Sequence, residues 1–165
     1  GEGLEHLKRL PSLETLKTKT LSNADGAAAR IVGLASLREL ALPGSFTERS
    51  LTDAGLAHLS SLTSLRSLNV QCQRITDAGL VHLAGFAELE ELDLSENREI
   101  TGPGLELLKD LPKLRWLKLD STGLTNAAVP LLKKFTRLEE LGLWGTKIGE
   151  RNLATLRKAL PEANL

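Results

Sequence analysis

One pattern governs this chain. Leu-x-x-Leu-x-(Leu/Val) occurs at Leu37-Leu40-Leu42, Leu65-Leu68-Val70, Leu89-Leu92-Leu94, Leu114-Leu117-Leu119 and Leu138-Leu141-Leu143, with a weaker copy at Leu13-Leu16-Thr18. The copies start at 13, 37, 65, 89, 114 and 138, giving steps of 24, 28, 24, 25 and 24 residues. A recurring step of that size means an array of supersecondary units, because one such unit is too small to bury its own apolar residues and must stack on its neighbours. Within each copy Leu-x-Leu alternates, as a half-buried strand does, and the apolar residues that follow recur by threes, as on the buried face of a helix. Each unit therefore reads strand, turn, helix. Six strands and seven helical segments are expected.

The helical half opens on a second recurring string: Leu51-Thr52-Asp53-Ala54-Gly55-Leu56, Ile75-Thr76-Asp77-Ala78-Gly79-Leu80, Ile100-Thr101-Gly102-Pro103-Gly104-Leu105 and Leu124-Thr125-Asn126-Ala127-Ala128-Val129. Thr is placed to cap all four helices through its hydroxyl, Asp suits the positive helix end, and Pro103 is tolerated where early N–H groups lack partners. Because the strands all point the same way, one per unit, they form a parallel sheet on the inner curve with helices outside.

These strings make the chain resemble the leucine-rich-repeat family over almost its whole length, in particular the ribonuclease-inhibitor-like branch with a helix in each repeat. The Ile-Thr-Asp-Ala-Gly-Leu string looks like that of bacterial leucine-rich-repeat proteins and of eukaryotic F-box-associated repeats. The resemblance implies an α/β right-handed solenoid, with the parallel sheet concave and the helices convex. It also implies protein binding rather than catalysis, and a bacterial type of repeat. The family pattern places Asn or Cys three residues after the last strand Leu. Asn97 fits; Gln73, Thr122 and Thr146 stand there elsewhere, so Thr-based turn contacts are expected to replace the buried Asn ladder.

The whole of 1–165 reads as one domain, with a half repeat at 1–12 and repeats from near 13, 37, 65, 89, 114 and 138. The start, Gly3 to Leu10, matches a helical half without its strand and suggests a piece of a longer array. At the other end Pro161 stops the last helix, Ala163-Asn164-Leu165 begins a final strand, and the terminus reads as a natural end. In the first repeat Asn23 stands where an apolar residue is expected, and Ala24-Asp25-Gly26 replaces Thr-Asp-Ala. About four extra residues in Pro43 to Ser50 enlarge one strand-to-helix loop. Phe46 at its tip either folds under the loop, which the habit of loops to keep their own apolar anchors favours, or faces a partner.

Charge and composition exclude several functions. Lys plus Arg and Asp plus Glu both number 21, so no bulk field attracts nucleic acid or an anionic membrane. No apolar run reaches the roughly 18 residues of a membrane span, and Gly1-Glu2-Gly3 is not a signal peptide. Localisation stays open, a reducing, cytoplasmic compartment being weakly favoured by the single cysteine, Cys72, which can form no intrachain disulfide. Cys72 reads as an incidental thiol. His6, His58 and His82 share one slot before a helical Leu and are explained by the repeat, so no metal is expected, and no cofactor motif or catalytic constellation is found. Lys109, Lys133 and Arg157, with Lys134 and Lys158, form a basic column read as compensation of helix C-termini.

The residues flanking the strand leucines point away from the core and onto the concave surface. They are Thr15, Lys17 and Lys19; Glu39, Ala41 and Pro43; Ser67, Asn69 and Gln71; Glu91, Asp93 and Ser95; Trp116, Lys118 and Asp120; and Glu140, Gly142 and Trp144. Both tryptophans fall here, on neighbouring strands, among carboxylates with Lys118 embedded. Since indoles are enriched at interface hot spots, a candidate partner site comprises Trp116, Trp144, Lys118, Asp120, Glu140, Glu91, Asp93, Asn69 and Gln71. It suits a protein with basic and apolar features. The alternatives are that the indoles merely shield the sheet in a spacer without ligand, or that the chain is the recognition part of a larger effector or ubiquitin-ligase-adaptor-like protein.

Overall fold

The computed structural model describes residues 2–165, so Gly1 of the expected half repeat lies outside the described residues. Six strands form one sheet in sequence order: β1 (Thr15–Lys17), β2 (Glu39–Ala41), β3 (Ser67–Asn69), β4 (Glu91–Asp93), β5 (Trp116–Lys118) and β6 (Glu140–Gly142). All neighbours are parallel, and Leu16, Leu40, Leu68, Leu92, Leu117 and Leu141 stand in register. A slip of one residue would turn every one of these leucines to solvent, which is why the repeat specifies the register so strongly.

The helical positions number seven among the described residues, but their geometry differs from expectation. α1 (Ala24–Ile31), α2 (Asp53–Leu59), α3 (Val129–Leu132) and α4 (Glu150–Ala159) are α-helices, whereas Glu2–Arg9, Gly79–Leu83, Pro103–Leu107 and Asn126–Ala128 are 3₁₀, the last running into α3. The spacing by threes explains this. Leu80-Leu83-Phe86 and Leu105-Leu108-Leu111 are all buried, and in a 3₁₀ turn residues three apart eclipse one another along a single stripe. Strands stack at about 4.8 Å, and helices need about 8–10 Å, so units sharing both layers splay on the helical side and make the strand side concave.

Strand and helix leucines meet in one continuous core running from Ala24 to Leu160, with Phe86 and Phe135 buried in it from the turns that follow their helical segments. Each fully buried Leu contributes about 1.5–3 kcal/mol relative to exposure.

Two sets of side chains bolt successive units together. Asp25 accepts from the Thr52 N–H and hydroxyl, both at 2.8 Å. Asp53 does the same for Thr76 at 2.9 and 2.7 Å. Asp77 accepts from the N–H and hydroxyl of Thr101 at 2.9 and 2.7 Å and from the N–H groups of Gly102 and Gly104 at 3.1 and 2.9 Å. The aspartates therefore serve the next unit's turn as well as their own helix end. Three of the four Thr hydroxyls also accept from their own first turn, Thr52 from Ala54, Thr76 from Ala78 and Thr125 from Ala127. Thr101 does not; Gly102, with φ +134°, carries the backbone away from a cap, and Asp77 takes the free N–H groups instead. In the first repeat the cap moves one residue earlier, to Asn23, whose Oδ1 accepts from Gly26 N–H at 2.7 Å.

The second set is amide-based, and here the Thr-based expectation needs correcting. Buried Asn97 accepts from Ile75 N–H at 3.0 Å and donates to the Val70 and Leu94 carbonyls at 3.0 and 2.9 Å. Gln73 does the same work, accepting from Ser50 and Leu51 N–H, each at 3.0 Å, and donating to Leu42 C=O at 2.8 Å. Thr122 and Thr146 reach only Leu119 and Leu143 in their own units, each at 2.7 Å. A hydroxyl is too short to bridge, and an amide is long enough.

Phe46 also departs from expectation. The residue does not fold beneath its loop but is 73% exposed, with the Arg49 guanidinium 5.8 Å from its ring centre. The loop backbone itself packs closely, a Cβ on Gly44 lying 1.9 Å from the Cys72 carbonyl oxygen. The expected final strand at 163–165 is a single bridge, Asn164 exchanging bonds with Glu139 and Leu141, each at 2.9 Å, along the edge of β6. Of the basic column, Arg157 and Lys158 sit in the last turn of α4. Lys109 lies beyond its 3₁₀ segment and pairs with Glu106 and Asp110 at 3.3 and 2.6 Å, so its partners are carboxylates rather than a helix end.

Candidate functional site

The strands are only three residues long, so side chains of the same slot line up across the sheet as transverse rows. The first row runs Thr15, Glu39, Ser67, Glu91, Trp116, Glu140 and the second Lys17, Ala41, Asn69, Asp93, Lys118, Gly142. Lateral bonds tie these rows. Ser67 donates to Glu91 at 3.1 Å, Asn69 to Asp93 at 3.3 Å, and Lys118 pairs with Glu140 at 3.7 Å. At the other end Lys17 pairs with Glu39 at 2.8 Å, and that hydrogen bond together with the carboxylate charge raises the Lys17 ammonium above its ordinary value.

Neither indole enters the core. Trp144 is 79% exposed, and Trp116 is half-buried. A groove of about 340 Å³ crosses β3 to β6 with Trp116, Lys118, Glu140, Glu91, Asp93 and Asn69 in its walls. A second depression of about 470 Å³ lies at the strand ends and holds Trp144, Asp120 and Gln71, sharing Asp93 and Lys118 with the first. The nine residues singled out in the sequence thus fall on two adjoining hollows, one indole to each. Asp120 fixes Trp144 by accepting from its backbone N–H at 2.7 Å. Ser95, also expected on this face, is only 7% exposed and forms floor rather than wall.

A charged row at the opposite rim went unread in the sequence. Glu14 and Arg38 pair at 3.6 Å, Arg66 and Glu90 at 3.9 Å, and Arg115 with Glu139, all between residues in the slot just after the first repeat Leu. Lys113 and Glu88 add a pair at 2.7 Å, which holds the Glu88 carboxyl below the usual range. The signal was a change of sign at every step but Arg38 to Arg66, visible only once those slots are aligned. Exposed pairs of this kind contribute about 0–1 kcal/mol each.

No cluster of three or more His, Cys, Asp or Glu side chains able to hold a metal occurs among the described residues. No helix among them is long and apolar enough to cross a membrane.

One strand per unit in an open parallel sheet, backed by helical segments and tied by buried amides, defines an α/β leucine-rich-repeat solenoid. Residues 63–124 match the family model described as Leucine rich repeat. Among solved structures the chain is similar to an internalin (inlF) from Listeria monocytogenes str. 4b F2365, with a TM-score of 0.66 and 21% identity over 97% of this chain and 49% of that one. An internalin C2 (inlC2) from the same strain gives a TM-score of 0.69 at 22% identity over 98% and 62% of the two chains. An LRR protein of Leptospira interrogans gives 0.59 at 19% identity over 97% and 50%. The chain therefore spans about half to three fifths of the length of these structures, and at such identities the likeness is one of fold. No curated protein matches the chain by sequence.

Proposed function

We propose that this solenoid binds a protein partner on its concave face, across β3 to β6. The observation that carries the reading is Trp144, an indole left 79% in water at the rim of an otherwise polar sheet face. Trp116 stands on β5 in the adjoining groove, whereas Trp144 lies in the turn just past β6. A large aromatic displayed in this way gains most from burial on association. Around it Glu91, Asp93, Asp120 and Glu140 outnumber Lys118, so the partner would offer cationic and apolar groups rather than nucleic acid or a lipid surface. The role is recognition rather than catalysis, since Glu91 and Asp93 are engaged laterally by Ser67 and Asn69 as elements of a wall.

A second reading, as the recognition part of a larger effector or adaptor, is favoured by the chain spanning 49% to 62% of the internalin structures it matches. The test is site-directed photo-crosslinking, with a crosslinking residue at Asn69 or Gln71 on the concave side and at Val81 on the convex side. Partner adducts are expected from the concave positions only, and they are expected to vanish when Trp116→Ala and Trp144→Ala are combined. Adducts from Val81 alone, or adducts indifferent to the double substitution, would refute the site. No adduct from any position would favour a spacer.

A further inference from the structure

Three kinds of link join successive units, and all three are missing together at one joint. The carboxylate clamp runs from Asp25 to Thr52, Asp53 to Thr76 and Asp77 to Thr101, and Asn126 holds Gly149 N–H at 2.9 Å. At the remaining step the clamp position is Gly102, which has no side chain to offer Thr125. Single parallel bridges tie Thr52 to Arg74, Thr76 to Glu99 and Thr125 to Lys147. None ties Ile100 or Thr101 to residues 122–124 among the described residues. Gln73 and Asn97 bond back to Leu42 and Val70 of the preceding units, at 2.8 and 3.0 Å, whereas Thr122 bonds to Leu119 in its own.

The local sequence shows how the break is made. Gly102 sits at φ +134° and ψ −42°, a conformation open to glycine because it has no Cβ. Thr-Gly-Pro-Gly in place of Thr-Asp-Ala-Gly therefore removes both the carboxylate and the backbone direction that would aim one. The receiving side matches, because Ala128 stands where Gly55, Gly79 and Gly104 receive the preceding unit's aspartate in the other repeats, and a Cβ on Gly102 would lie 3.2 Å from its methyl. Segments 103–107 and 126–132 also make less lateral contact than the earlier successive pairs. What crosses the joint is the β4–β5 ladder, prolonged by the Glu96 N–H to Asp120 C=O bond at 2.8 Å, the apolar core, and two exposed pairs, Lys113–Glu88 at 2.7 Å and Lys134–Glu106 at 3.3 Å.

We infer that this joint divides the solenoid into two cooperative units, 13–111 and 112–165, and that the second opens first. The first unit keeps three carboxylate clamps and two amide bridges. The second keeps one clamp, Asn126 to Gly149, and its Thr122 and Thr146 hydroxyls turn inward on their own units. Both tryptophans belong to the second unit, so their fluorescence reports on it alone, and circular dichroism reports on the whole chain.

The experiment is urea unfolding of the chain followed by both probes, with native-state hydrogen exchange to locate the opening. The fluorescence midpoint is expected below the circular dichroism midpoint, since probes of different cooperative units do not coincide. Amides of residues 124–132 are expected to exchange at least about tenfold faster than those of 53–59. Grafting the intact string, by combining Gly102→Asp, Pro103→Ala and Ala128→Gly, is expected to merge the midpoints and slow exchange at 124–132 by about tenfold, in line with a charge-assisted hydrogen bond. Coincident wild-type curves with equal protection on both sides of the joint would overturn the inference. So would a graft that folds yet leaves the two midpoints apart. If the graft fails to fold, the wild-type curves and exchange pattern decide alone.

Discussion

The carboxylate of Asp53 occupies the place a side chain on Gly79 would need. A Cβ on Gly79 would lie 2.0 Å from Asp53 Oδ1, and one on Gly55 would lie 1.9 Å from Asp25 Oδ1. The glycine of the recurring Asp-Ala-Gly string is thus the seat of the preceding unit's aspartate. Gly79→Ala is expected to destabilise the fold by about 2–3 kcal/mol, the range of forced overpacking with partial loss of a hydrogen-bonded carboxylate. Combining it with Asp53→Ala should cost less than the sum of the two single changes, because they share one contact. Urea unfolding of the four proteins gives the coupling directly.

Asn97 and Thr122 fill the same repeat slot with different reach. Asn97→Thr is expected to cost about 2–4 kcal/mol, since it strands the Ile75 N–H and the Val70 carbonyl in the core. Thr122→Ala removes only one bond within its own turn, and about 1 kcal/mol is expected. Equal losses in the two variants would show that the amide is not an inter-unit link.

Cys72, Glu96 and Ser121 take positive φ at 57°, 63° and 53°, in the slot that Gly145 fills at 70° in the last unit. Only glycine enters this left-handed region without steric cost. Ser121→Gly should therefore stabilise the protein by about 0.5–1 kcal/mol. The reverse change, Gly145→Ala, should destabilise it, as its Cβ would also lie 2.6 Å from Ser121 Oγ. Thermal melting of both variants checks the sign.

Asp77 carries an acid dependence. Burial pushes its carboxyl up, but hydrogen bonds from Thr101, Gly104 and Gly102 together outweigh burial and hold it below 3.8. The folded state thus binds this proton less readily than the unfolded chain. The contribution is fully present above the unfolded value and is lost as pH falls through the lower folded value. Between about pH 4 and pH 2, stability should fall less steeply for Asp77→Asn than for the parent. Parallel slopes in acid titrations of the two would contradict this.

The two indoles should be distinguishable in solution. With Trp116→Phe, the remaining Trp144, 79% exposed, should be quenched steeply by acrylamide. With Trp144→Phe, half-buried Trp116 should be quenched less. Trp144→Ala should change stability by no more than about 0.5 kcal/mol, as for surface positions away from caps and core.

The repeat period, the order of one parallel strand per repeat and the outward placing of the tryptophans were readable from the residues. Each follows from local rules, the two-residue alternation of Leu16, Leu40 and their equivalents or the chemistry of a Thr-Asp-Ala-Gly turn, and the array applies the same rule every time. What the sequence left open lay between units. That Asp53 serves Thr76 rather than only its own helix, that Gln73 reaches between units as Asn97 does, and that Arg115 finds Glu139 are contacts between residues more than 20 positions apart. Their geometry depends on how two units are offset in space, and no residue pattern within either unit carries that distance. The same holds for the concave wall. Alternation decided which side chains face outward, but only the stacking of β3 to β6 decided that Trp116 and Trp144 stand in adjoining hollows rather than one.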